Sequence, residues 1–380
     1  MSDAPRPSAS HVPALDGVRG IAIALVLLHH SGWPRFVGPI GWVGVDLFFV
    51  LSGYLITSIL IDTREASHRA RSFYVRRALR IFPLYYAVLV AVFVVAPTIL
   101  SIHWPSYRAL VPEQIWYWTY LCDWPMAFSH PPIVTILGHF WTLSIEEQFY
   151  WVWPLVIWAL SRQAAVRLCG VLVVGASILR IFLVTHVPLV LNPSLVVAFE
   201  YLFLPTRIDG LAVGALVALV LRGPGGAAAL VRWLRPAAVA GGGALAVVVI
   251  WRGTASHDDP WMIMIGYPAI ALAFGGVVLY AVVRRSTVLE LAPLRTLGKY
   301  SYGLYVLHQP IMMVARGTFR LPDANVGAGR SFTVTMLPIV FVAAYLSYHL
   351  FEKHFLRLKN VLGPIEPQTG EPVRAALAPG

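Results

Sequence analysis

Charge is what this 380-residue chain has least of. Asp, Glu, Lys and Arg make up 12% of it, about half of what a soluble domain carries. With 58% hydrophobic residues and a mean hydropathy of +0.70, it could not cover a water-exposed surface with polar groups. That excludes an ordinary soluble globule and indicates a membrane fold. Cysteine is nearly missing: Cys122 and Cys169 form no CxxC and no metal spacing, so no disulfide framework is expected. The first fourteen residues lack a charged n-region ahead of a short apolar core and a cleavage site. The first apolar run, from about Leu15, is therefore expected to stay as a membrane anchor. No internal repeat is visible, and no soluble domain is expected at either end.

What charge there is, is mostly positive. A net +11 would suggest nucleic acid in a soluble protein. Here it fits Lys and Arg gathered in cytoplasmic loops and basic patches at membrane depth that hold phosphate. No nucleic-acid partner is expected.

About ten apolar runs reach the ~20 residues a helix needs to cross hydrocarbon. They lie at roughly 15–33, 41–61, 81–101, 137–160, 168–187, 203–222, 235–252, 262–283, 299–318 and 331–352. With the N-terminus in the cytoplasm, most of the 29 basic residues fall in inward loops, and every loop obeys the positive-inside rule. The expected fold is an all-α, polytopic transmembrane bundle with both termini cytoplasmic. Residues 1–14 and 357–380 are read as cytoplasmic tails, the second rich in Pro, Gly and Ala and disordered. The aromatic stretch 115–121 is read as interfacial or re-entrant, with a short eleventh span as the alternative. The loop at about 102–136, with His103, Trp104, Trp116, Trp118, Trp124, His130, Pro131 and Pro132, is read as an aromatic belt in preference to a lid over a site.

Ionisable groups inside hydrocarbon are costly and mark a site or a path. Arg19 and His30 are eleven residues apart, about 20° from alignment on a helix with about 16 Å of rise between them. Snorkelling of Arg19 with a carbonyl-satisfied His30 explains the pair as well as chemistry does; a His in the bilayer can also act as a general base. Arg77 and Arg80 share a helical face at the inner boundary, either as a topology signal or as a clamp for a phosphorylated ligand. Glu146 and Glu147 are hard to explain as packing. They point about 100° apart, so one is expected to face a cavity and the other a helix partner, with Arg180, Arg207 and Asp209 as candidate partners. Ser52 and Gly53 are read as close-packing residues. Tyr302, Tyr305, His308 and His349 follow late in the chain, and Glu352 is read as a surface ion pair with Lys353.

In order along the chain, several segments resemble the acyltransferase 3 family of membrane O-acyltransferases. They are Leu15 to Gly20 with His30, Gly44 to Ile56, Arg77-Ala78-Leu79-Arg80, Phe140 to Tyr150, Arg207 to Gly214, Ser301 to Pro310 and Phe351-Glu352-Lys353. Each is weak alone; the ordered set, covering residues 15–356, is specific. Thr142 stands where the family often has Ser, and His354 where it often has Pro.

The resemblance implies a core of about ten spans in the bacterial cytoplasmic (inner) membrane. It implies transfer of an acyl group, acetyl by default, from cytosolic acyl-CoA to a hydroxyl. Acceptors in the family include O-antigen, exopolysaccharide, peptidoglycan and macrolide hydroxyls, so the acceptor here is expected to be a carbohydrate, a lipid-linked glycan or a glycosylated small molecule. Acyl-CoA is a co-substrate; no permanently bound cofactor and no metal are implied. Functional roles carry over to Arg19, His30, Arg77 and Arg80. The expected mechanism holds the CoA phosphates on Arg77 and Arg80, with Arg19 as a further candidate. It brings the thioester to His30 as general base, or through an acyl-histidine relay, with Glu146 or Glu147 orienting His30 or the sugar. Some relatives carry a fused extracytoplasmic hydrolase-like domain; without one, the chemistry is completed in the membrane or handed to a separate partner. The alternative is a transporter or flippase that moves an acyl or glycan unit without covalent chemistry, its buried charges lining a pathway. A scaffold would need none of them.

Overall fold

A computed structural model of the protein describes residues 12–31, 40–99, 105–128, 136–187, 193–284, 286–318 and 329–363. His103, Trp104, His130, Pro131, Pro132 and most of both tails lie outside the described residues. Among the described residues the structure is helical, without strands. The long helices are α1 (Pro13–Ser31), α2 (Val43–Asp62), α3 (Arg69–Val90), α4 (Trp141–Ala159), α5 (Arg162–His186), α6 (Leu204–Leu221), α7 (Gly226–Arg252), α8 (Tyr267–Val283), α9 (Ala292–Thr318) and α10 (Gly329–Ser347). A π turn at Ala91–Val95 prolongs α3, another at Met262–Gly266 leads into α8, and a third at Tyr348–Glu352 carries α10 into a last helix, Lys353–Leu362. Seven helical stretches are long and apolar enough to cross a membrane. The chain is a polytopic helical membrane protein.

Two of the expected boundaries shift in an informative way. The apolar run places the third span from about residue 81, yet α3 begins at Arg69. Its first turns bury Ser72 and Phe73, so Arg76, Arg77 and Arg80 stand on a helix and not in a loop. The aromatic stretch 115–121 forms only the short helix Gln114–Trp118, one of several between α3 and α4.

Glycine decides which helices touch. A Cβ on Gly20 of α1 would lie 2.0 Å from the Leu294 carbonyl oxygen of α9. A Cβ on Gly214 of α6 would lie 1.9 Å from the Val50 oxygen of α2, and one on Gly53 of α2 2.0 Å from the Leu211 oxygen of α6. Two seams therefore press backbone on backbone, as small residues allow between membrane helices. Gly53 packs as its sequence neighbourhood suggests; Ser52, one residue earlier, turns to other work.

The basic turns make structural bonds. Arg222 forks onto Asp62 at 2.6 and 2.8 Å and donates to Ser58 Oγ at 3.0 Å, tying the end of α6 to the end of α2. Arg64 donates to the Trp158 and Leu160 carbonyls, satisfying acceptors that the end of α4 leaves open. Arg76 donates to the Lys359 and Gly363 carbonyls, holding the last helix against α3. That leaves the next arginine on α3, Arg77, facing elsewhere.

Candidate functional site

Five helices line an open cleft of about 850 Å³, a volume that takes in its mouth. The periodicity of each wall explains its lining. On α4, Thr142, Glu146 and Tyr150 recur every four residues on one face. On α2, Val45, Phe48, Ser52 and Leu55 recur every three or four residues as a largely apolar stripe, and Ser301, Tyr302 and Tyr305 of α9 close the far side. Arg19 of α1 and Arg77 and Arg80 of α3 complete it. Of the six residues singled out in the sequence, the fold brings five, Arg19, Arg77, Arg80, Glu146 and Glu147, to this one cleft.

The five are not equivalent. Arg80 is exposed, whereas Arg77 is half-buried with its guanidinium 5.2 Å from the centre of the Tyr150 ring. Arg19 pairs with Asp16 one turn earlier at 3.2 Å. Both glutamates line the cleft, so the expected division into one cavity-facing and one helix-facing carboxylate does not hold. Glu146 accepts from Ser52 Oγ at 2.7 Å. Glu147 is 3% exposed, and its Oε1 has no hydrogen-bond partner among the described residues. The cleft is thus cationic, with two carboxylates set into its wall and apolar side chains beyond them.

Arg180, Arg207 and Asp209 are not the partners of these glutamates. Arg180 pairs with Asp209 at 2.6 Å, and Arg207 with Asp46 at 2.8 Å. Arg207 is 1% exposed, and the rings of Phe49, Trp141, Tyr201 and Tyr267 surround it. The Asp–Arg pairs form because α2, α5 and α6 are packed face to face, leaving the glutamates of α4 on the other side of α2. Glu352 also departs from its surface reading: it is buried, and its Oε1 accepts from Ser347 Oγ at 2.8 Å. The π turn ending at Glu352 resets the helical register there.

His30 lies in the last turn of α1, outside the lining of the cleft. Its ring centre is 4.9 Å from that of His308, which is 5.7 Å from that of Tyr305, a lining residue. Tyr305 faces Phe48 across 6.2 Å and shares a short hydrogen bond with Thr142. These side chains form the end wall of the cleft, and His30 stands two ring contacts behind it. The sequence named His308, Tyr305 and Tyr302 without a role and passed over His139. Their common signal is a polar or aromatic residue at each turn of one helix face, readable only once α9 is known to face α1 and α4.

The sequence matches the acyltransferase domain family over residues 12–349. The chain belongs to this family of acyltransferase domains. It is 27% identical over 93% of its length to the peptidoglycan O-acetyltransferase OatA of Listeria monocytogenes. It is 28% identical over 90% to the putative peptidoglycan O-acetyltransferase YrhL of Bacillus subtilis, and 29% over 80% to the O-acetyltransferase OatA of Staphylococcus aureus. The acyltransferase domain spans about half the length of these curated relatives: 57%, 54% and 51% respectively. No solved structure matches it.

Proposed function

We propose that this chain transfers an acetyl group from cytosolic acetyl-CoA to a hydroxyl of a carbohydrate acceptor. The observation that carries the reading is a cleft with arginines along one part, apolar walls beyond, and an end wall in ring contact with a histidine pair. Arginine forks suit phosphate oxygens, which points to the nucleotide end of the donor at Arg77, Arg80 and Arg19. The pantetheine arm then lies along Phe48, Leu55 and Ile81, where Glu147 Oε1 can accept from an amide N–H. The thioester reaches the Phe48–Tyr305 end wall, which has to open for transfer.

On this reading His30 is the general base. It removes the proton from the acceptor hydroxyl, the oxygen attacks the thioester carbonyl, and the C–S bond breaks. The acceptor class comes from the names of the relatives, two of which are peptidoglycan O-acetyltransferases; a saccharide hydroxyl is the chemistry they share with this proposal.

The test uses purified protein in liposomes with radiolabelled acetyl-CoA and an N-acetylglucosamine oligomer. Label should become covalently attached to the saccharide, and His30→Ala, at normal protein level and folding, should lower transfer by about 10²–10⁴-fold. Full activity of His30→Ala would remove His30 as base. Movement of label across the membrane without covalent attachment would favour the transporter reading instead.

A further inference from the structure

Behind the end wall, three imidazoles from three elements meet: His30 of α1, His308 of α9 and His139 of the 3₁₀ turn Gly138–Phe140. Ring centres lie 4.9 Å apart for His30 and His308, and 4.7 Å for His308 and His139. His308 is fully buried and His139 is 3% exposed. Among the described residues, no group of three His, Cys, Asp or Glu side chains is arranged to hold a metal ion.

The backbone fixes the tautomers. His30 Nδ1 lies 3.0 Å from the Val26 carbonyl, and His308 Nδ1 lies 2.6 Å from the Tyr305 carbonyl and 3.2 Å from that of Leu304. A carbonyl oxygen only accepts, so Nδ1 carries the proton in both rings, and the lone pair of each neutral imidazole sits on Nε2. His308 Nε2 has no hydrogen-bond partner among the described residues. A buried acceptor left unmet is destabilising. Apolar packing alone would be better served by Leu or Phe at this position. The groups facing His308 are His30 from α1, His139 from the 3₁₀ turn and Tyr305 from its own helix.

From this geometry we infer that His308 is a positioning, proton-sharing residue: its bare Nε2 shares with His30 the proton taken from the acceptor hydroxyl. The inference rests on the reading of His30 as the base. When the acceptor O–H bond breaks, its proton goes to His30 Nε2 and is shared with His308 Nε2. The acceptor oxygen bonds to the acyl carbon, and the C–S electron pair leaves with sulfur. The thiolate then takes the proton from the pair, restoring two neutral rings and releasing CoA thiol. His139 is held by its Nε2, which donates to the Val306 carbonyl at 3.3 Å, with its ring set against His308; its Nδ1 also has no hydrogen-bond partner among the described residues, but it meets His308 and not His30 in ring contact.

The experiment measures kcat and KM for acetyl-CoA by thiol release, with an N-acetylglucosamine oligomer as acceptor, in wild type, His308→Asn, His308→Ala and His30→Ala. Asn keeps an N–H near the position of Nδ1, able to bond the Tyr305 carbonyl, but offers no ring nitrogen at Nε2. The expected result is a fall in kcat of about 10²-fold for His308→Asn with KM unchanged, and recovery of His308→Ala by added imidazole. Wild-type kcat in a folded His308→Asn protein would overturn the inference. So would a loss that imidazole does not restore, since that is what a packing role predicts. If His308→Asn does not fold, His308→Gln takes its place under the same criteria. Full activity of His30→Ala sinks the underlying reading; an inactive His30→Ala beside a fully active His308→Asn sinks only the role of His308.

Discussion

Arg77 and Arg80 are one turn apart on the same helix, yet the structure sets them in different dielectric surroundings, and this makes their removal unequal. Arg80 is exposed, and a contact between its guanidinium and a phosphate would be screened, contributing about 0.2–1 kcal/mol as exposed ion pairs do. Arg77 is half-buried against Tyr150 inside the cleft, where a hydrogen bond to a charged group is worth about 1.5–3 kcal/mol. At about 1.4 kcal/mol per tenfold, Arg77→Ala should lower kcat/KM for acetyl-CoA by about 10- to 100-fold, and Arg80→Ala by no more than about 5-fold. The decisive comparison uses a donor cut back to S-acetylpantetheine, which keeps the thioester and arm but has no phosphate. With that donor, Arg77→Ala should behave like wild type. An equal loss with both donors would show that Arg77 maintains the cleft and holds no phosphate; the placement of the nucleotide end would then be wrong.

Three further outcomes follow from the packing. Asp46→Ala strands the buried guanidinium of Arg207, so it should destabilise the detergent-solubilised protein by about 3–5 kcal/mol. The double replacement Asp46→Leu with Arg207→Met should cost distinctly less, and a double variant as unstable as the single would refute the ion-pair account. Outside the long helices, burial raises the Asp123 carboxyl from 3.8 to about 7, although Gln148 Nε2 donates to its Oδ1 at 2.7 Å. The folded state then binds a proton that the unfolded chain has released. This contribution to stability is complete below about pH 4 and is lost as pH rises to about 7, by at most about 4 kcal/mol. Asp123→Asn should flatten that part of the melting-temperature profile, and an unchanged slope would exclude Asp123 as its source. Gly214→Val forces a side chain into the Val50 carbonyl and should prevent accumulation of folded protein, while Gly243→Val, with open space around it, should be tolerated.

How far the sequence could be read depended on the physical reach of each signal. Helicity and membrane insertion are carried by composition and run length, which act locally, and both were legible. So were five of the cleft residues, because a charged group in an apolar run is conspicuous wherever it sits. Partnership was not legible. Arg207 and Glu146 look equally available to one another in sequence, and only the glycine seam between α2 and α6 gives Arg207 to Asp46. Helix starts were misplaced where the first turns are basic: the apolar run begins near residue 81, but α3 begins at Arg69, its first turns anchored by the buried Ser72 and Phe73. Glu352 was taken for a surface group because its neighbour is Lys353; a π turn has no sequence signature that regular helical periodicity would reveal.

Polarity itself separates scaffold from site. Three of the long helices, as far as they are described, are long enough but lack the apolarity that seven other stretches show: α1, α4 and α9. They are the helices that carry Arg19 and His30, Glu146 and Glu147, and Tyr302, Tyr305 and His308. The seven apolar stretches include surfaces well suited to lipid, such as Val171 and Ile178 on α5 or Val247 and Ile250 on α7, all more than half exposed. A helix that cannot face hydrocarbon unaided has to be surrounded by helices that can, so the groups that weaken insertion are the ones driven to the centre. Bringing Arg19, Glu146 and His308 together thus needs no contact among them. It follows from the cost of leaving any of the three in lipid, with Gly20 setting how closely α1 and α9 then approach.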